Sequence, residues 1–130
     1  MIFMVVSHHR SRRTPTTSIY RSSRGRRLAE LGSAPALTKI GEKRVKTQRT
    51  KGGNSKIRLL SENVLNLYDA KTKKHEKVNI ISVVESPADI NYVRRNILVK
   101  GTLVETEKGK AKITNRPGQE GTINGVLVQN

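Results

Sequence analysis

From Arg44 onward the chain contains no stretch able to form a long helix, and that constrains the fold more than any other feature of its 130 residues. Apolar residues come in short runs divided by turn residues, the pattern of small antiparallel β structure. Arg44 to Lys51 and Ser55 to Leu60 flank Gly52-Gly53-Asn54, a hairpin connection in which glycines supply the positive φ that primed turns need. Asn63 to Tyr68 follows, broadly apolar at Val64 and Leu67, then a polar turn from Asp69 to Lys74. Lys77 to Glu85 carries Val78, Ile80, Ile81, Val83 and Val84, long and β-branched enough for a central strand. Ser86-Pro87-Ala88-Asp89 predicts a turn or single helical turn with Ser86 as N-cap and Pro87 at the first helical position. Four more runs, Ile97 to Val99, Thr102 to Thr106, Lys110 to Asn115 and Thr122 to Gln129, are joined through Gly101, Lys108-Gly109 and residues 116–121. About seven short strands with no helix to cover them predict an all-β fold, in which the sheet curls on itself. The expectation for residues 43–130 is a small antiparallel β-barrel of about six to seven short strands. Its core is marginal by size, so a bound partner would add to its stability.

Residues 1–42 read differently, as an extended basic arm. Pro15 and Pro35, Ser/Thr clusters, and Gly25, Gly32 and Gly41 interrupt them too often for a long helix or an alternating strand. Arg26 to Leu31 makes at most about one and a half helical turns before Gly32. Composition alone leaves two readings open: a solvated basic tail, or an arm that orders on a partner. The apolar residues Tyr20, Leu28, Leu31, Ala34, Ala36, Leu37 and Ile40 favour the second.

Charge supplies the functional signal. Lys and Arg number 26 against 10 acids, and residues 1–60 hold fifteen of the cations but only two acids, whereas residues 61–130 hold eleven and eight. The densest run, Lys43 to Arg58, has no acid between Glu42 and Glu62. A surface of that kind repels itself unless it lies against a polyanion. The rings are few (Phe3, Tyr20, Tyr68 and Tyr92), which argues against a base-stacking platform and for phosphate and RNA shape as targets. Gly52-Gly53 is a tight turn by default; between Lys51 and Lys56 and beside Asn54 it also lets backbone N–H groups approach a phosphate. An anionic membrane is the rival polyanion, but binding one needs an amphipathic or inserting element that the chain does not display.

The search for chemistry excludes more than it finds. There is no cysteine, hence no disulfide scaffold, thiolate metal site or cysteine nucleophile. Adjacent His8-His9 on an extended segment point to opposite sides, and no nearby carboxylate completes a ligand set, so neither metal nor cofactor is expected. Walker and dinucleotide fingerprints are absent, no Ser/His/Asp set can be assembled, and Glu105 and Glu107 alternate outward along one strand as a solvated face. No enzyme activity and no small-molecule substrate are expected. Met1 to Val6 is apolar but too short for a signal-peptide core or a membrane span, which points to the cytoplasm.

A resemblance rests on many ordered segments. Tyr20-Arg21-Ser22-Ser23-Arg24-Gly25-Arg26-Arg27, Glu30-Leu31-Gly32, residues 38–46 and Arg49-Thr50-Lys51-Gly52-Gly53-Asn54-Ser55-Lys56 together resemble the signature of the archaeal and eukaryotic e-type ribosomal protein eight of the small subunit. Asn91 to Ile97, Val99-Lys100-Gly101, Glu105 to Ala111 and Thr114 to Gly121 are similar to the archaeal branch, and the chain lacks the long insertion of eukaryotic members. The resemblance implies a structural constituent of the small ribosomal subunit that binds ribosomal RNA, with neighbouring ribosomal proteins as further partners. The alternative it implies is a ribosome-assembly factor on pre-ribosomal RNA. Candidate RNA-binding residues in the arm are Arg10, Arg12, Arg13, Tyr20, Arg21, Arg24, Arg26, Arg27 and Lys39. In the body they are Lys43, Arg44, Lys46, Arg49, Lys51, Gly52, Gly53, Asn54, Lys56 and Arg58, together with Arg94 and Arg95 as a second cluster.

Overall fold

The computed structural model describes residues 6–7, 10–21, 23–25 and 27–128; Arg26 and the His8-His9 pair lie outside the described residues. The chain forms two compact units, Met1–Pro35 and Ala36–Asn130.

In the first unit β1 (Val6–Ser7) pairs antiparallel with β2 (Leu31–Gly32). Between them Arg13 and Ile19 form a bridge, and the loop they close is held by Thr14 N–H to Ser18 O (2.9 Å) and Tyr20 N–H to Arg12 O (2.9 Å). The Ser/Thr-rich stretch around Pro15 is thus the tip of a tight reversal. Within the expected limit, residues Leu28–Glu30 make a single 3-10 turn. The Glu30 carboxylate accepts the Arg27 N–H at 3.1 Å, and the next residue already belongs to the ladder with β1.

The second unit contains nine strands and two short α-helices among the described residues, besides a 3-10 turn at Lys51–Gly53. They are β3 (Thr38–Lys39), β4 (Arg44–Arg49), β5 (Ser55–Ser61), β6 (Val64–Asp69), β7 (Lys74–Glu85), α1 (Ile90–Arg94), β8 (Ile97–Leu98), β9 (Leu103–Thr106), β10 (Gly109–Ile113), α2 (Pro117–Glu120) and β11 (Asn124–Leu127). Five of them close a barrel in the order β10-β11-β6-β7-β9, and β4-β5-β3-β8 form a four-stranded sheet beside it. The all-β barrel expected from the run pattern is therefore present, with two differences. The hairpin β4–β5 belongs to the second sheet rather than to the closed ring. The ring also closes through a parallel pair, Asn124 to Val126 of β11 beside Asn66 to Tyr68 of β6, which strands far apart in sequence can form and a local turn cannot.

β7 is the central strand, pairing with β6 through residues 74–79 and with β9 through residues 80–85. Ile80 and Val83 are both buried although three apart, while Ile81 is 61% exposed. Register shifts at Ile80/Ser82 and Val83/Glu85 account for that: each bulge turns the strand and resets which side chains face inward. On β6 the alternation is clean, with Leu65 and Leu67 inside and Val64, Asn66 and Tyr68 outside. Leu59 of β5 and Leu98 of β8 join the barrel's apolar cluster, with Ile40 and Val93 packed against it, so both sheets share one core. Thr38 is wholly buried, and its hydroxyl donates to Leu59 O at 2.7 Å, which satisfies its polar group.

The helical turn begins later than Ser86-Pro87 predicts. Asp89 is the N-cap of α1, its carboxylate accepting the Asn91 N–H at 2.9 Å, whereas Ser86 is buried. Asp and Ser cap about equally well, so burial of Ser86 leaves the role to Asp89.

Candidate nucleic-acid interface

The β4–β5 hairpin sorts its cations by the two-residue period of a strand. Lys46 lies opposite Arg58 and Gln48 opposite Lys56, which places three cations on one face. The other face carries the pairs Val45/Leu59 and Thr47/Ile57, and Leu59 enters the core. β4 is an edge strand, and Lys43, Arg44, Lys46, Arg49, Lys51 and Lys56 are all exposed, with Arg58 half-buried. At the tip, Gly52 and Gly53 have φ of 75° and 78°, the left-handed conformation the sequence pattern predicts. Thr50 N–H donates to Asn54 O at 2.7 Å, and the Asn54 amide donates to Lys51 O at 3.3 Å, so Asn54 holds the turn in shape.

Lys43 and Lys56 have protein partners. Lys43 Nζ lies 3.0 Å from Glu62 Oε1, a carboxylate whose residue is buried, and Lys56 Nζ donates to Gln119 Oε1 at 3.2 Å. The first closes the base of the hairpin, and the second ties the hairpin to α2. Lys39 is exposed at β3. Arg94 and Arg95 end α1, which packs on β7 and β8, and β8 is the edge of the sheet opposite β4. Three strand spacings, about 14 Å, separate those two edges. The second cluster therefore sits on a helix beside the far edge of that sheet.

In the first unit Arg10, Arg12, Arg13, Arg21, Arg24 and Arg27 are exposed. The Arg10 guanidinium lies over the Tyr20 ring at 3.8 Å, a cation–π contact that holds both side chains at the surface. Arg24 makes a fork with the Glu30 carboxylate, Nη1 to Oε2 at 3.2 Å and Nη2 to Oε1 at 2.5 Å. That hydrogen-bonded, oppositely charged neighbour pushes the Arg24 pKa up from an already high value. Arg24 thus shows the bidentate geometry suited to phosphate, with a carboxylate in the phosphate's place.

Sequence reasoning passed over another surface. Tyr68 lies opposite His75 across the β6–β7 hairpin, their ring centroids 4.7 Å apart, and both border an open groove of about 610 Å³ on the outside of the barrel. The signal was present, since the six-residue turn from Asp69 to Lys74, polar except for Ala70, separates these two rings and a hairpin sets such flanking residues face to face. No group of three or more acidic or histidine side chains fit to hold a metal occurs among the described residues.

Fold and surface define a class: a small β-barrel protein with a basic N-terminal unit and a basic, exposed sheet edge. Residues 7–128 match the family described as Ribosomal protein S8e, and the chain belongs to that family. It is 49% identical over 125 residues to the small ribosomal subunit protein eS8 of Methanobrevibacter smithii, covering 96% of this chain and all of that protein. The protein of the same name from Sulfolobus acidocaldarius is 53% identical over 108 residues, 82% of this chain and 84% of its own. That from Methanocorpusculum labreanum is 50% identical over 120 residues, 92% and 96% respectively. The family is one of ribosomal proteins and not of enzymes.

Proposed function

We propose that this chain is a structural constituent of the small ribosomal subunit, where it binds and stabilises folded ribosomal RNA through phosphate contacts of its basic N-terminal arm, residues 1–42, and of the β4–β5 hairpin. The observation that carries the reading is the cation face Lys46, Lys56 and Arg58 of the hairpin at the sheet's edge, with the two left-handed glycines at its tip. Such a face neutralises phosphates that would otherwise keep RNA helices apart, and the glycines leave room for backbone N–H groups to reach phosphate oxygens. Arg21, Arg27, Arg44 and Arg49 suit sites where two oxygens are gripped at once, because the guanidinium is a planar fork. In this role the protein works in the cytoplasm beside neighbouring ribosomal proteins, and the relatives' names support the choice of the small subunit.

The test is a salt series with small-subunit ribosomal RNA. With about ten phosphates neutralised, log affinity falls against log salt with a slope of roughly −7 to −9. A slope shallower than about −3 would remove the multi-phosphate reading.

A further inference from the structure

The register of the barrel brings side chains together that the sequence keeps apart. On the outer face, β7, β6, β11 and β10 lie side by side. One transverse row runs Lys77, Asn66, Asn124, and the next runs His75, Tyr68, Val126, Lys112. That these point outward follows from their neighbours: Leu65, Leu67, Ala111, Ile113 and Gly125 fill the interior. The groove of about 610 Å³ lies over these rows. Its volume falls in the range that houses a small organic ligand.

Each part of this surface has a use in gripping a nucleotide. Tyr68 and His75, tilted by 35° with centroids 4.7 Å apart, offer ring faces on which a base can stack. The Asn66 amide donates to Asn124 Oδ1 at 2.9 Å. That bond leaves the Asn66 carbonyl as acceptor and the Asn124 amide as donor, a pair matched to the donor and acceptor on a base edge. Lys77 stands at one end of the first row and Lys112 at the end of the second, in position for the flanking phosphates. The acid that borders the groove, Glu76, is ion-paired with Lys108, which removes the charge that would repel RNA. An extended peptide is the poorer fit. The ring of strands is closed here, so no free strand edge is available for a peptide to extend.

We propose that the outer face of the barrel between β7 and β10 seats one unstacked nucleotide of RNA, with its base on Tyr68 and His75 and its edge against Asn66 and Asn124. The proposal rests on the RNA-binding reading above and adds to it a base-recognising contact away from the phosphate clamp. Few aromatics argued against a stacking surface; strand register makes one from two rings on either side of a six-residue turn.

The first test titrates the full chain with AMP, GMP, CMP and UMP, and with ribose 5-phosphate as the baseless control, following ring resonances by NMR. Saturable upfield shifts at Tyr68 and His75, absent at Tyr20 and Tyr92 and absent with ribose 5-phosphate, are expected. Unshifted rings, or equal shifts with the baseless sugar, would overturn the proposal. The second test uses ribosomal RNA. His75→Ala, at an exposed position that tolerates change, weakens binding about tenfold with an unchanged salt slope, and His75→Phe restores it. Tyr68→Ala does the same; should it fail to fold, the histidine pair carries the test. Equal affinity of wild type and His75→Ala, or crosslinking of this face to a protein rather than to a nucleotide in assembled subunits, would refute the seat. Failure of the phosphate reading looks different: it flattens the wild-type salt slope and leaves the mononucleotide shifts in place.

Discussion

Gly121→Ala is the sharpest stability test, because its cost divides into two parts that can be measured separately. Gly121 ends α2 at φ 74° and ψ 9°, with its N–H donating to Pro117 O at 3.2 Å. An L-residue in that conformation costs about 1–2 kcal/mol. A Cβ there would also stand 2.5 Å from Ile57 Cγ2 and 3.0 Å from Ile57 Cβ. The Ile57 Cβ is fixed to the β5 backbone and cannot swing aside, so the helix must lift from the hairpin, an overpacking cost of about 1–3 kcal/mol. Together these give about 2–5 kcal/mol, a large part of the ~5–15 kcal/mol that holds a typical domain folded. Gly53→Ala is the control: its φ is 78°, yet nothing lies within 4 Å of its Cβ position, so only the backbone part applies. Urea unfolding of both variants should show Gly121→Ala less stable by the overpacking part. Ile57→Ala in the Gly121→Ala background should recover much of the difference, since it removes Cγ2. Equal losses in the two glycine variants, or additivity with Ile57→Ala within ~0.5 kcal/mol, would refute the steric argument.

Three further predictions concern charge. Glu30→Gln releases Arg24 from its fork while keeping an acceptor for the Arg27 N–H, so RNA binding should tighten and the salt slope should steepen by about 1; no change would show that Arg24 faces no phosphate. Lys46→Ala should weaken binding uniformly across RNA sequences and flatten the slope by about 1, whereas the same change at Arg94 does so only if the far edge of the sheet also touches RNA. Asp69 is held below the usual carboxylate range, first by the Lys71 N–H and then by the Thr72 hydroxyl. With the folded pKa depressed, its support of the β6–β7 turn is complete above the pKa of an unfolded aspartate and is lost as pH falls through the lower, folded value. The Lys71 amide resonance should titrate with a midpoint below that of the unfolded chain; a midpoint at or above it would contradict this account.

Much of the body was legible because it depends on local chemistry. The hairpin tip follows from Gly52-Gly53, and the central strand follows from five β-branched residues between Lys77 and Glu85. Other elements were hidden because their cause lies elsewhere in the chain. Thr38–Lys39 forms a strand only because Leu98 and Ser61 flank it, and no pattern in a two-residue element announces that. The capping of α1 by Asp89 rather than Ser86 turned on which of two good caps the fold leaves at the surface.

For the candidate site the division is similar. The period-two sorting of Lys46, Lys56 and Arg58 onto one face could be read from the residues once a hairpin was expected. The groove could not, since its Asn66–Asn124 pair joins strands 58 residues apart. By itself the sequence determined the excess of positive charge, where that charge is densest, and the β character of the chain, because charge and strand propensity belong to each residue and its near neighbours. Only the tertiary structure decided that five strands close with a parallel seam, and so which side chains from distant strands share a face, because register is set by long-range packing of the core.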